Sequence, residues 1–219
     1  MIKLIGIHKT FKNCKALRDV NLVISRNEFL AITGQSGSGK STLLSIISGL
    51  EKPTLGQVLY DGEDISKFSE KEIAIFRNRR IGFIFQNFFL IPEYSVLENV
   101  EMPLLLRKEK DRLEKCKEQL FAVGLLDKIN EKVRHLSGGE AQRLAIARAL
   151  VTDPSIVYAD EPCGNLDSTN RAIVMKILCE LKKKGKTIIL VTHDKEDAKK
   201  ADRIITLKDG EIIDDFRPI

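Results

Sequence analysis

With 219 residues, 43% of them hydrophobic and 31% charged, the chain has room for one good-sized core carrying lobes and hardly for two independent domains. Its 36 basic and 31 acidic residues leave +5, spread along the sequence, which is too mild a charge to argue for a nucleic-acid partner. The start, MIKLIGIHKTF, lacks the apolar core of a signal peptide, and no stretch reaches the roughly 18 apolar residues of a membrane span. Cys14, Cys116, Cys163 and Cys179 lie far apart without a CxxC or Cys/His spacing, so neither a disulfide framework nor a zinc site is expected, and a reducing cytoplasm suits them.

From the N-terminus, IKLIGIH, DVNLVIS and, further on, QVLYD read as short strands, so residues 1–33 and 56–61 are expected mainly in an antiparallel lobe. Within the first of these spans, EFLAIT at 28–33 is a continuous apolar run of the buried-strand type. It leads into GQSGSGKST at 34–42 and then STLLSIISGL, whose apolar residues recur at helical spacing before Gly49. Strand, glycine loop and helix is the order a phosphate site needs. Gly34, Gly37 and Gly39 let successive backbone N–H groups approach an anion, with Gln35, Ser36 and Ser38 contributing to the same loop. Lys40 adds a mobile positive charge, Ser41 a hydroxyl for Mg²⁺, and Thr42 continues the helix whose positive end faces the phosphates.

Residues 34–55, 62–89 and 151–219 are expected to make the main nucleotide-binding core, and 90–150 a helical lobe in which Leu113, Cys116, Leu120 and Val123 recur at helical spacing before Gly124. The clusters RNRR at 77–80 and KKKGK at 182–186 read as solvated helix faces and ends. SIVYA at 155–159 and TIILV at 187–191 suit parallel strands covered on both faces, and Ile173, Val174, Ile177, Leu178 and Leu181 form the stripe of a crossover helix ended by Gly185. Ligands of such α/β sheets sit beyond the carboxyl ends of the strands, which is where Asp160, Glu161 and His193 fall. One acid can serve a Mg²⁺ shell while its neighbour reaches an attacking water, as phosphoryl transfer to water requires.

LSGGEAQRLAIARAL at 136–150 starts a helix at Ser137, with Gly138 and Gly139 exposing the first N–H groups and Glu140 behind them. An ordinary helix cap has the same appearance. One nucleotide cannot easily use both glycine-rich helix starts of one chain, and two chains arranged head to tail resolve the conflict.

The order of these strings resembles the ATP-binding cassette of ABC transporters over essentially the full length. GQSGSGKST matches the Walker A motif, Gln86 in IGFIFQ the Q-loop, LSGGE the signature, IVYADE the Walker B motif, GNLD the D-loop and His193 in LVTHD the switch histidine. The resemblance implies a single α/β domain: a P-loop NTPase (RecA-like) core with an antiparallel β lobe and a helical signature lobe. It further implies two copies sandwiching two ATP molecules, with Ser41 and Gln86 as Mg²⁺ ligands and Asp160 holding the metal through water. Glu161 would be the general base, His193 would contact the γ-phosphate and Phe11 would stack on adenine. Asn165 to Asp167 would contact the opposite subunit.

The cassette resembles most the branch that includes LolD, MacB and FtsE, on RRIGFIFQNFFLIPEYSVLENVEMPLL and the GNLD string. Phe88, Phe89 and Tyr94 are then the expected docking surface for an integral membrane permease, with Phe83 and Phe85 as strand core, and the chain would sit peripherally at the cytoplasmic membrane face. Two other readings remain: an FtsE-like regulator of a cell-envelope or division complex, and a soluble cassette acting on nucleic acid. The second is disfavoured because the interval from Gln86 to Leu136 is too short for a coiled-coil or zinc-hook insertion. Two residues depart from the wider pattern: Glu140 stands where Gln is usual and Cys163 where Ser or Thr is usual, and a thiol there suggests sensitivity to oxidation.

Overall fold

Four strands make one sheet of the protein and six make another. The computed structural model describes residues 1–12, 14–107 and 109–218. The first sheet is antiparallel, in the order β2 (Cys14–Ile24), β1 (Ile2–Phe11), β4 (Leu55–Tyr60), β5 (Glu63–Asp64). Alternation in β1 turns Ile2, Leu4 and Ile7 inward, where they meet Leu17, Val20, Leu22 and Ile24 from β2.

The six-stranded sheet runs β10 (Glu211–Phe216), β9 (Arg203–Lys208), β3 (Phe29–Gly34), β8 (Thr187–Val191), β7 (Ile156–Asp160), β6 (Ile81–Phe85). Every pairing in it is parallel except β9 with β10. All five residues of β8 and four of five in β7 are buried, as expected of strands covered on both faces. Residues 28–33, expected with the antiparallel lobe, instead place β3 in the centre of this sheet between β8 and β9. Their unbroken apolar run has no solvent-facing side to offer an antiparallel layer. The hairpin of β9 and β10 and the helix α2 (Glu70–Arg80) had no sequence counterpart, since β10 is mostly exposed and α2 buries only Ile73.

The helices divide between two cores. α1 (Lys40–Ile47) buries Leu43, Leu44, Ile46 and Ile47 between the two sheets. On the other face, α3 (Val96–Leu105), α4 (Arg112–Ala122) and α5 (Gly138–Leu150) pack with α6 (Ser168–Lys183) over Val157, Ala159, Ile188 and Leu190. α7 (Lys195–Ala198) is a single turn capped by Asp194, which accepts from the amides of Glu196 and Asp197. The cluster at 77–80 lies in the last turn of α2, where Arg77 Nη1 donates to the Gly49 carbonyl. Lys182 and Lys186, near the end of α6, pair with Asp202 and Asp153. Two buried tyrosines tie the sheets together: Tyr60 of β4 donates to the Ile47 carbonyl and its hydroxyl meets that of Tyr158 in β7. Among the described residues no helix is long and apolar enough to cross a membrane.

Candidate functional site

Strand register gathers the chemistry onto one edge. Ile32 pairs with Val191, Val191 with Asp160 and Asp160 with Phe85, so four strands end level. The residues that step off this edge are Thr33, Glu161, Gln86 and Thr192, the last followed by His193. An open cleft of about 1180 Å³ lies there, lined by the 34–42 loop together with Phe11, Gln86, Glu161 and His193. That volume suffices for a nucleoside triphosphate.

The loop between β3 and α1 shows why its glycines are needed. Gly34 sits at φ 144°, and a Cβ there would lie 2.3 Å from the Leu207 carbonyl oxygen and 2.7 Å from Ser38 Oγ. Gly39 sits at φ 103° with the Ala16 carbonyl 2.6 Å from the same kind of added atom. The neighbouring strands therefore close on the loop, and only glycine fits both the turn and the approach. Lys40 Nζ donates to the carbonyls of Gly34 and Gln35, each at 2.9 Å, which holds the ammonium across the loop. Ser38 Oγ is buried without a partner, while Gln35, Ser36 and Ser41 are exposed.

Phe11, at the end of β1, is half-exposed on the cleft wall, and Lys9 Nζ lies 4.7 Å from its ring centroid. Glu51 and the Lys52 carbonyl hold that ammonium at 2.6 and 2.8 Å. Lys15 and Arg18 of β2 also line the cleft, cations that sequence reading passed over because nothing in a strand pattern distinguishes them.

Glu161 and His193 meet: Nδ1 of the ring lies 2.9 Å from a carboxylate oxygen. Glu161 has φ 46°, an unfavourable backbone for a residue with a Cβ, held by its amide donating to Val191 O at 2.9 Å and its carbonyl accepting from Gly164 N at 3.1 Å. Gln86 packs against this turn, since a Cβ on Gly164 would lie 2.9 Å from Gln86 Nε2. Asp160 is more deeply placed. Burial raises its carboxyl above the usual range, with Ser41 and Lys40 pulling the other way.

Asp160 Oδ1 is buried and has no hydrogen-bond partner, an acceptor beside the Ser41 hydroxyl and the Lys40 charge. A hard cation suits this oxygen. Among the described residues no group of three or more His, Cys, Asp and Glu side chains could hold a metal by itself.

Ser137, Gly138, Gly139 and Glu140 do not line this cleft. Ser137 caps α5 in a capping box: its amide donates to Glu140 Oε2 at 2.9 Å and its hydroxyl accepts from the Glu140 amide. Glu140 also pairs with Lys128 at 2.7 Å, and that bond, helped by the Ser137 amide, lowers its carboxyl to about 2. The two glycines differ. Gly138 is exposed with nothing near an added Cβ, whereas Gly139 is buried with Asn170 Oδ1 2.2 Å from that position.

Asn170 links this helix to the start of α6. Arg143 donates to its Oδ1 at 3.0 Å, and its Nδ2 donates to Asp167 at 2.8 Å, the residue that caps α6. Next to it, Arg171 pairs with Asp194 and Asp197 of the segment after His193. Arg148, on the otherwise apolar face of α5, reaches the carbonyls of Phe88 and Phe89 at 2.6 and 2.5 Å, a polar residue in an apolar stripe that should have marked a contact. Phe89 and Tyr94 are exposed and Phe88 is half-buried; Phe83 and Phe85, expected in the strand core, are also only half-buried and stack at 5.0 Å beside a groove of about 270 Å³ that Pro103, Arg77 and Arg148 share. Cys163 is half-buried. Burial, then the nearby Asp197, pushes its thiol up to about 12, so the reactive thiolate is disfavoured.

The family model described as ABC transporter matches residues 17–164. The chain is 43% identical to the lipoprotein-releasing system ATP-binding protein LolD of Aquifex aeolicus over 210 residues, 95% of this chain and 94% of that one. It is 44% identical over 220 residues to the macrolide export ATP-binding/permease protein MacB of Chlorobaculum tepidum, covering 98% of this chain and 34% of that longer protein. The structure superposes on one chain of the dimeric structure of the ATP-binding cassette MJ0796, in a post-hydrolysis state bound to ADP and Pi, with a TM-score of 0.94 and 42% identity, covering 100% of this chain and 99% of that one.

Proposed function

The chain belongs to the ABC transporter family, and from that premise we propose that it is the ATP-hydrolysing subunit, paired with a second copy, of a lipoprotein- or macrolide-export type system whose permease is a separate chain. One observation carries the reading: Glu161, Gln86, His193 and the Gly34 loop share one cleft, while the exposed helix start at Ser137 and Gly138 lies outside it. A cleft completed by the Ser137 helix of a second copy uses both.

In this reading Phe11 stacks on adenine, the backbone from Gly34 to Thr42 cradles the phosphates, and Lys40 leaves its two carbonyls to neutralise the β- and γ-phosphates. Ser41, Gln86 and Asp160 would hold Mg²⁺, which would supply positive charge beside the phosphates. Glu161 takes a proton from the water whose oxygen attacks the γ-phosphorus as the bond to the bridging oxygen breaks, and His193 keeps that carboxylate oriented while reaching the γ-phosphate. Gly138 donates its N–H, which the capping box leaves free, to the γ-phosphate of the other copy, and the Ser137 hydroxyl turns from Glu140 Oε2 to donate beside it. Phe89 and Tyr94 receive a permease helix, which holds the subunit at the cytoplasmic membrane face.

Glu161→Gln tests the reading. The variant should bind ATP, release phosphate only at a slow residual rate and persist as a dimer in sedimentation. Hydrolysis at the wild-type rate would remove Glu161 from this role. Copurification in mild detergent should recover a polytopic membrane protein; ribosomes or DNA in its place would overturn the permease reading.

A further inference from the structure

Gln142 sits one turn into α5, fully buried, within a helix face otherwise made of Ala141, Leu144, Ala145 and Ile146. Its Nε2 donates to the Pro162 carbonyl at 2.8 Å. Its Oε1 is buried without a partner. A side-chain amide kept in an apolar stripe with one unmet acceptor is an uneconomical way to pack a core, so the single bond it makes calls for a reason.

The bonded carbonyl lies immediately after Glu161. That residue's left-handed backbone is pinned before it by Val191 O and closed after it by the Gly164 amide. Pro162 has a fixed φ and no N–H, so its carbonyl is the remaining polar handle by which the inner side of the turn can be gripped. Gln142 grips it. The next residue on the helix, Arg143, holds Asn170 across the far side of the same loop, so α5 clamps the segment from 161 to 170 at both ends.

We propose that Gln142 is a positioning residue for Glu161, and that through it the seating of the signature helix α5 sets the aim of the general base in its own subunit. This rests on the role proposed above for Glu161.

The test is a double-mutant cycle on the full-length protein with Gln142→Met, which keeps length and apolar bulk but removes the donor, and Glu161→Gln. Thermal melting and binding of a fluorescent ATP analogue are measured beside phosphate release. Gln142→Met alone should lower kcat about tenfold or more, with analogue binding and melting temperature close to wild type. In the Glu161→Gln background the same change should leave the residual rate unaltered, because a residue acting only through Glu161 has nothing left to position. An equal fold loss in both backgrounds, or a loss explained by weaker analogue binding or an earlier melt, would overturn the proposal. Wild-type turnover by Glu161→Gln alone would instead strike the assigned role of Glu161, so the two failures are distinguishable.

Discussion

Gly138 and Gly139 stand side by side at the start of α5, and replacing each by alanine should have opposite effects. At Gly139 the added methyl would lie 2.2 Å from Asn170 Oδ1 and 2.3 Å from its Cγ, so the amide must retreat by about an ångström to reach ordinary contact. It is not free to do so. Arg143 and Asp167 both hold it, and the Asp167 cap starts α6. Overpacking of this kind costs about 1–3 kcal/mol. The gain from replacing a helical glycine, at most about 1 kcal/mol, offsets part of it. Subtracting that gain leaves a net destabilisation of up to about 2 kcal/mol, which lowers the melting temperature by up to roughly 8 °C for a chain of this size. At Gly138 nothing lies within 4 Å of the methyl, so only the gain remains, and the melting temperature should hold or rise slightly. Yet that methyl projects where the partner's nucleotide is proposed to dock. Gly138→Ala should therefore fold well and lose ATP-driven dimerisation and turnover. Calorimetry and sedimentation of both variants decide it: equal melting losses would refute the steric argument, and a Gly138→Ala protein that dimerises and turns over normally would refute the assignment of this surface.

Three further predictions follow from buried and paired groups. Tyr60 donates to the Ile47 carbonyl, so the Tyr158 hydroxyl must donate to Tyr60; Tyr60→Phe strands two groups and should cost about 1–3 kcal/mol in urea unfolding, Tyr158→Phe less. Burial raises the Asp160 carboxyl in the fold, so its contribution to stability is greatest below its ordinary value of 3.8 and is lost as pH rises through the raised one. Asp160→Asn should consequently melt higher at neutral pH than wild type while losing Mg²⁺-dependent ATP turnover, and a lower melt would contradict the desolvation argument. Glu140 has the opposite sign: its carboxyl is lowered from 4.5 to about 2, so its contribution is present above 4.5 and disappears as pH falls toward 2. An acid titration of stability should lose a component in Glu140→Gln over that window.

What the sequence disclosed is what short-range pattern can disclose. The 34–42 loop, β7 and β8 each carry their signal within a dozen residues, and TIILV coincides with β8 residue for residue, while the α6 stripe holds at Val174, Leu178 and Leu181 but misses buried Met175 and includes Ile173, which is exposed. Placement across the sheet is a different kind of information. EFLAIT reads as a buried strand, but its position between β8 and β9 depends on partners some 160 residues away. The β10 edge carries EIIDDF with little burial to pattern it, and α2 is held by its Ser69 capping box more than by an apolar face. In the site, the residue types were readable and their supports were not. Nothing in ADEPCG announces that Glu161 lies at positive φ, and nothing in SGGE separates an open Gly138 from a Gly139 pressed on Asn170. Gln142, Asn170 and Arg171 escaped notice because each acts through a contact made by another element.

Each ATP is proposed to be held between the glycine loop of one copy and the Ser137 helix of another. Lys40→Ala spoils the first half and Ser137→Arg the second, so each protein alone should be inactive. Heterodimers of the two, isolated through different affinity tags, contain one intact composite site. Their phosphate release should stand well above the sum of the separate proteins. If the isolated heterodimers prove as inactive as their parents, the two halves do not come from different chains and the account is wrong.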